Sequence, residues 1–316
     1  MVGTLIFLSM SSPRGIVLSF SAASMMSVLV IKIGLDPVLI QFGPVSVHWY
    51  GLMYVVGIAV GLYVALPYAE RHGIPRDRAY EVFWPVLIAC LIGGRLYYVV
   101  QSNLGWYLRH PQNILATWEG GMAFYGAVFL GIPALFLAAR RVDVSVPKLL
   151  DATALFIPVA QSFGRVGNLV NGDIIGYPSS APWATQYTNP NNTFVPSHLI
   201  AYAPAAFFEL VFSAALFVLL WTFKDRFRVP GTLFAVWLSI YSIGQFVLFF
   251  ARANAVVALG LKQAQWTALI VLLITIPSWV VWRRFAQREP RSSLLPPDRV
   301  PEDGRVTVPS SGPAGQ

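Results

Sequence analysis

Charged residues are scarce in this chain: they make up 11% of its 316 positions, against about 25% in soluble domains. Histidine occurs four times and cysteine once, and the mean hydropathy is +0.62. The low charge excludes an ordinary soluble globular domain. The single cysteine excludes a disulfide within one chain, and the place of Cys90 in an apolar run favours a structural over a catalytic role.

Long apolar runs stand where charge is missing. Seven of them approach the length of about 20 residues that crosses a bilayer as a helix. They are 47–66, 81–101, 121–139, 149–167, 199–221, 230–250 and 266–282. Helices are expected because an open strand edge would leave backbone groups unpaired in lipid. The sequence therefore predicts an all-α integral membrane protein with seven transmembrane helices and an external loop region.

The basic residues alternate between loops, as the positive-inside rule requires. They cluster after the first, third, fifth and seventh predicted spans, for example at Arg76, Arg141, Arg228 and Arg283, whereas 170–204 has no Lys or Arg. This pattern predicts a cytoplasmic C-terminus and an external 168–204 loop. The net charge of +8 follows from it, so no nucleic-acid partner is expected.

The composition divides the chain into three parts. Residues 1–35 form an N-terminal extension, either an extra apolar segment or the product of a wrongly assigned start. Residues 36–286 form the predicted transmembrane catalytic domain. Residues 287–316, rich in Pro, Ser, Gly and charge, predict a disordered cytoplasmic tail. No long internal repeat is obvious.

Polar residues inside the predicted spans fall at one depth, in the half nearer the external face. They are Tyr50, Tyr54, Arg95, Tyr125, Arg165, Asn168, Glu209, Tyr241 and Gln245. A small-solute transporter would need polar groups along a full path, so one-sided placement favours a lipid-headgroup site. Asp151 lies near the opposite face, where a helix-start role accounts for it.

The run GRVGNLVNGDIIG, residues 164–176, is the most informative segment. It combines four glycines with Arg165 and Asn168 at the end of a span. One glycine suffices to cap a helix, so four predict a backbone bent closely around an anion. Ionisable residues at this depth are functional by default. The structural alternative is that Arg95 merely pairs with Glu209.

Four motifs resemble the bacterial prolipoprotein diacylglyceryl transferase family. The family signature G-R-x-G-N-F-x-N-G-E stands here as residues 164–173, ending in Asp173. The others are the first-span segment 36–57, GGRLYYV from Gly93, and WEGGMAFYG from Trp118. The resemblance covers roughly residues 36–285 and implies a seven-helix protein of the bacterial plasma membrane, with its active site toward the outer leaflet.

The resemblance implies transfer of the diacylglyceryl group of phosphatidylglycerol to a prolipoprotein lipobox cysteine. A thioether forms and glycerol phosphate leaves, so the site must neutralise a phosphate. Membrane lipids and the lipobox segment are the expected partners; no cofactor and no metal are expected. The candidate catalytic residues are Arg165, Tyr125, Asp173 and Glu209. The candidate phosphatidylglycerol-binding residues are Arg165, Asn168, Asn171, Gly167, Arg95, Tyr50, Tyr241, Gln245 and Arg252.

Departures from the family pattern leave the thiol-activating base open. Tyr125 stands where the family often has His, Gln245 where it has Arg, and Phe249 where an acidic residue is usual. Tyr125, with an ordinary pKa of about 10, is either tuned by a neighbouring Arg or only orients substrate. In the second case Asp173 or Glu209 takes the proton. The alternative function is a non-catalytic lipid- or lipoprotein-binding member of the same fold.

Overall fold

A computed structural model describes residues 30–43, 45–117 and 120–286. The expectations for most of the N-terminal extension, for the C-terminal tail and for Trp118 and Glu119 of the fourth motif lie outside these residues.

Seven α-helices dominate the described part of the chain. They are α1 Trp49–Arg71, α2 Arg76–Arg109, α3 Phe124–Arg141, α4 Val146–Asn171, α5 Ala205–Phe223, α6 Thr232–Leu248 and α7 Gln263–Ala286. Each of the seven predicted segments overlaps one of them. Five helices, α1, α2, α3, α5 and α7, are long and apolar enough to cross a membrane. The chain is therefore a multi-pass integral membrane protein.

The other two helices depart from a simple span for different reasons. α6 has 17 residues and is the shorter apolar helix. α4 has 26 residues, but Asp151, Gln161, Arg165 and Asn168 interrupt its apolar surface. Two of these polar residues, Asp151 and Arg165, bond to other helices.

The hairpins α1–α2 and α3–α4 are alike in a few residues and in their turns and form two short repeats, although no long internal repeat is obvious in the sequence. Equivalent residues stand 70 positions apart: Arg71 and Arg141, Gly94 and Gly164, Arg95 and Arg165. The turns also match, because Ile74 N donates to Ala69 O at 3.0 Å and Val144 N donates to Ala139 O at 2.9 Å. The two hairpins are alike in turn geometry and in a few small or basic residues. Their apolar residues do not repeat in the same way, so the apolar pattern of the sequence does not reveal the likeness.

The repeats exchange partners when they pack: α1 lies along α4, and α2 along α3. Small residues permit both contacts. A Cβ atom at Gly57 would lie 3.0 Å from Ala160 O on α4, and one at Gly93 would overlap Gly126 O on α3. Close helix approach through small residues is typical of membrane bundles.

Within the residues that the structure describes, three small sheets lie before α1 or in the connections between helices. β1 Ile31–Ile33 pairs in parallel with β4 Thr185–Tyr187, β2 Val38–Phe42 pairs with β3 Val45–His48, and β5 Val256–Ala258 pairs with β6 Leu261–Lys262. All precede α1, join α4 to α5, or join α6 to α7. They therefore mark one end of the bundle, the sheet end, where α4 and α6 finish and α1, α5 and α7 begin.

Asp151 has a helix-start role, but for a different helix from the one expected. α4 itself begins at Val146, and the Asp151 carboxylate reaches across to α6. Oδ2 accepts from Gly231 N at 2.7 Å and Oδ1 from Phe234 N at 2.9 Å. The carboxylate thus satisfies amides that the first turn of α6 leaves free, and ties α4 to α6 at the end opposite the sheets.

Candidate active site

An ion cluster joins three elements at the sheet end. Glu209, in the second turn of α5, is 1% exposed. Its Oε2 lies 2.8 Å from Arg165 Nη2 on α4, and its Oε1 lies 3.0 Å from Arg252 Nη1 just after α6. The predicted alternative, a pair between Arg95 and Glu209, is wrong, because Glu209 pairs with Arg165 and Arg252 instead. Two cations facing one carboxylate leave this centre positive.

A hydrogen-bonded chain extends from the cluster to the end of α4. Arg165 Nη1 donates to Asn168 Oδ1 at 2.9 Å, and Asn168 Nδ2 donates to both oxygens of Asp173, at 3.1 and 3.0 Å. Desolvation by neighbouring groups raises the pKa of the Asp173 carboxyl, while Asn168 and the charge of Arg165 oppose that shift. Asp173 is an exposed residue at the edge of the cationic centre, and its raised pKa makes it a stronger base than an unperturbed aspartate.

The glycines of residues 164–176 do not form the anion-wrapping loop that their number predicts. Gly164 and Gly167 lie within α4, where they face α1: a Cβ at Gly167 would lie 2.9 Å from Tyr50 Cα. Gly172, with φ of 74°, is the left-handed cap that ends α4. The glycines therefore permit helix contact and helix termination, and the polar side chains between them form the site.

Two residues that sequence reasoning missed hold the end of α4. Asn192, fully buried, donates through Nδ2 to Val170 O at 2.9 Å and Asn171 O at 3.3 Å. The Tyr187 hydroxyl donates to Leu169 O at 3.0 Å. Burial raises the pKa of Tyr187 to about 12, so this donor keeps its proton. Both residues satisfy carbonyls that a helix end leaves free, and so they fix the turn that carries Asp173.

The remaining polar residues of α1 and α6 line the same centre. Tyr50 and Tyr54 pack against Gly167 and Gly164, with their hydroxyl oxygens 3.0 Å apart. Tyr241 lies within electrostatic range of Arg165, Glu209 and Arg252. Gln245, one turn further along α6, is 8% exposed. Of the predicted binding residues, Tyr50 and Tyr241 therefore lie near the cluster, and Gln245 is buried one helical turn from Tyr241. Asn168 bonds to Arg165, and Gly167 packs against Tyr50.

Arg95 binds a different part of the chain. Its guanidinium donates to four backbone carbonyls in the α2–α3 connection, those of Asn113, Ile114, Gly120 and Gly121, at 2.6 to 2.9 Å. These hydrogen bonds engage each of its three nitrogens. Although Arg95 occupies the same repeat position as Arg165, it clamps a loop, whereas Arg165 meets the carboxylate of α5.

Tyr125 also makes its contact away from the cluster. Its hydroxyl lies 2.9 Å from Thr267 Oγ1 and so joins the start of α3 to α7. In the described part of the chain, no hydrogen bond connects Tyr125 with Arg165, Glu209 or Asp173. Within the same described ranges, no group of three or more His, Cys, Asp or Glu side chains is placed to hold a metal ion.

Comparison with known proteins assigns the fold to a family. The sequence model described as "Prolipoprotein diacylglyceryl transferase" matches residues 37–281, most of the chain. The chain belongs to the prolipoprotein diacylglyceryl transferase family. A relative from Bordetella avium is 34% identical over 265 residues, covering 81% of this chain and 97% of its own length. One from Cupriavidus pinatubonensis is 35% identical, covering 78% and 91%. Both are named phosphatidylglycerol–prolipoprotein diacylglyceryl transferase.

Membership of the diacylglyceryl transferase family agrees with the sequence resemblance. The matched range includes all three residues of the ion cluster, Arg165, Glu209 and Arg252. The signature supplies Arg165, Asn168 and Asp173, and the matched range extends through Glu209 and Arg252. Phe249, where an acidic residue is expected, presents its ring 4.5 Å from the Arg252 guanidinium carbon. A cation–π contact therefore occurs at a position where the resemblance expects a carboxylate.

Proposed function

We propose that this protein transfers the diacylglyceryl group of phosphatidylglycerol to the lipobox cysteine of prolipoproteins. The cysteine sulfur forms a thioether bond to the glyceryl carbon, the bond from that carbon to the phosphate oxygen breaks, and glycerol phosphate leaves. Family membership and the names of relatives that share 97% of their length with this chain support the reaction. The observation that carries the proposal is the buried, net positive cluster of Arg165, Glu209 and Arg252.

Arg165 is the proposed binding group for the phosphate. A guanidinium can donate two parallel hydrogen bonds to phosphate oxygens, and it stays charged under all conditions. The Arg165 side chain is 20% exposed, and its pair with Glu209 and its bond to Asn168 hold its orientation before substrate arrives. A pre-oriented cation stabilises the negative charge that develops on the leaving phosphate without further rearrangement.

Asp173 is the proposed acceptor of the thiol proton. Both oxygens of Glu209 face arginines, and Tyr125 bonds to Thr267, so neither offers an open basic atom at the cluster. Desolvation raises the pKa of Asp173, which makes it a stronger base than an ordinary aspartate. A free thiol has a pKa of about 8.5, so a base with a raised pKa lowers the cost of forming the thiolate.

The sheet end is proposed to face the outer leaflet, with all seven helices crossing the membrane and the C-terminus in the cytoplasm. The clustered basic residues at 71–78, 140–148 and 224–228 lie in connections at the opposite end of the bundle, which agrees with a cytoplasmic location. This orientation opens the cluster to phosphatidylglycerol of the outer leaflet and to a lipobox segment that has crossed the membrane.

The test is incubation of the purified full chain with phosphatidylglycerol and a lipobox peptide, followed by mass spectrometry. We expect a mass gain of one diacylglyceryl group on the cysteine, with none on a peptide in which Ser replaces that cysteine. Phosphatidylglycerol binding without any mass gain, across several lipobox sequences, would reject the enzyme and favour a binding protein of the same fold.

A further inference from the structure

Lys262 is a buried cation beside the ion cluster. It ends β6, is 4% exposed, and its Nζ donates to the backbone carbonyls of Phe249 and Arg252. The Tyr177 ring centroid lies 5.0 Å from Nζ. In the described residues, no Asp or Glu lies within ion-pair distance of this ammonium group. A buried charge without a counter-ion is costly, so its presence requires an explanation.

Capping of α6 accounts for the hydrogen bonds of Lys262 but not for its charge. Phe249 O lies at the end of α6, where carbonyls lack helical partners and cations are favoured. A neutral side chain also binds a carbonyl near the end of α6: Gln265, fully buried, donates through Nε2 to Phe246 O at 3.0 Å. A neutral donor would therefore suffice at position 262 if capping were the whole role.

The charges of the cluster and of the residues bonded to it do not balance without a ligand. Glu209 and Asp173 together offset Arg165 and Arg252, which leaves Lys262 as the surplus cation. One positive charge remains, and a phosphodiester carries one negative charge. We propose that Lys262 supplies the surplus positive charge that attracts an anionic phospholipid headgroup to this site. The proposal rests on the proposed function, since it concerns the phosphate of the same lipid substrate.

Position 245 offers a way to separate charge from capping. Gln245 is buried on α6, four residues after Tyr241 and four residues before Phe249. One helical turn, about 5.4 Å, therefore separates it from the carbonyl that binds Lys262. An arginine at position 245 would restore the charge near the site, but it could not replace the hydrogen bonds that position 262 makes to Phe249 and Arg252.

The experiment measures binding of phosphatidylglycerol to the full chain in detergent by native mass spectrometry, without peptide. Diacylglycerol, which lacks the phosphate, is the comparison lipid. We expect Lys262→Met to weaken phosphatidylglycerol binding about five- to tenfold and to leave diacylglycerol binding unchanged. Lys262→Arg is expected to bind as the wild type does, and Gln245→Arg added to Lys262→Met is expected to recover most of the loss.

Two results overturn the inference: unchanged binding by Lys262→Met, or a loss that Gln245→Arg does not recover. Should Lys262→Met fail to fold, Gln245→Glu in the wild-type background tests the same claim, because its carboxylate would neutralise the surplus. Unchanged binding by Gln245→Glu would then reject it. The binding measurement needs no turnover, so the two proposals can fail separately. If phosphatidylglycerol binding depends on Lys262 but no transfer occurs, only the proposed enzyme is rejected. If transfer occurs but binding does not depend on Lys262, only this inference is rejected.

Discussion

Arg165 on α4 and Glu209 on α5 form an ion pair of 2.8 Å, with the carboxylate almost completely buried. The two residues are 44 positions apart, and the whole connection between α4 and α5 lies between them. The pair both joins the helices and orients the arginine. Its removal should therefore affect chemistry and stability to different extents, depending on which partner is lost.

Arg165→Ala should abolish transfer while leaving a folded protein. Glu209 keeps Arg252 as a partner, so the acid is not stranded, but the oriented phosphate donor is gone. We expect the rate of diacylglyceryl transfer to fall by roughly 10²-fold or more, measured by mass gain on the peptide. Arg76→Ala, which removes an exposed arginine paired with Glu70, is the control. Near-normal transfer by Arg165→Ala would remove Arg165 from the mechanism.

Glu209→Gln should destabilise the protein more than Glu70→Gln does. Glu209 compensates two guanidiniums that are 20% and 15% exposed, whereas Glu70 is 39% exposed. Fully buried pairs lose about 3–5 kcal/mol when one partner is removed; partial exposure of the arginines lowers this to roughly 2–3 kcal/mol. For Glu70→Gln we expect at most about 1 kcal/mol. Thermal unfolding in detergent compares them, and equal losses would contradict a buried pair.

The rate of transfer should rise with pH through the titration of Asp173. Desolvation raises the pKa of this group, so the rise in rate should occur above the ordinary aspartate pKa of about 3.9. Asp173→Asn should lose transfer at every pH, and Asp173→Glu should retain part of it. A full rate with Asp173→Asn would show that another group accepts the thiol proton.

The raised pKa of Asp173 should lower the stability of the protein as the pH rises, although it should increase the rate of transfer. The pKa of Asp173 is higher in the folded than in the unfolded state, so its protonated form stabilises the fold at low pH. As the pH rises through the raised pKa, that contribution is lost. The unfolding midpoint of the wild type should therefore fall relative to that of Asp173→Asn between acidic and neutral pH, and parallel midpoints would contradict the shift.

Tyr125→Phe should keep most of the transfer activity. Its hydroxyl bonds to Thr267 and not to the ion cluster, so the variant loses one contact between α3 and α7. We expect less than a tenfold decrease, matched by Thr267→Val, which removes the same hydrogen bond. If Tyr125→Phe lost activity far beyond Thr267→Val, the hydroxyl would have a chemical role of its own.

Gly93→Ala should destabilise the contact between α2 and α3. A methyl group there would overlap Gly126 O, which is backbone and cannot rotate away. We expect a loss of about 1–3 kcal/mol, measured as a lower unfolding midpoint. Gly51→Ala is the control, because nothing lies within 4 Å of its Cβ position. There the better helix propensity of alanine should leave the protein as stable or slightly more stable.

The local apolar pattern of the sequence predicted where the helices lie, but not the residues at which they begin and end. The apolar run 81–101 predicts α2, yet the helix extends from Arg76 to Arg109 and changes direction at Asn103, whose ψ is 76°. Hydropathy detects the lipid-facing length, whereas the polar turns at each end form through hydrogen bonds and packing. The small sheets were missed because strands of two to five residues leave little periodic signal.

For the site, sequence position predicted the members of the cluster better than their partners. Arg165, Asn168 and Asp173 are neighbours in sequence and are joined in the structure. Arg95 was predicted to bind phosphate or to pair with Glu209. It binds loop carbonyls, because its helix faces α3 and the loop before it. Lys262 and Asn192 gave no signal, since each is an isolated polar residue in an unremarkable loop.

The sequence by itself determined that this chain is a multi-pass membrane protein, and it identified the family. It also named Arg165, Glu209 and Arg252 as candidates, which the structure brings together. Apolar length and charge asymmetry are properties of the chain in lipid and need no knowledge of contacts. Tertiary structure decided which charges meet. Arg165 and Arg95 hold equivalent repeat positions, but only Arg165 faces the carboxylate of α5. A buried charge is stable only beside a counter-charge or a set of hydrogen-bond acceptors. Helix packing determines which of these lies next to each arginine.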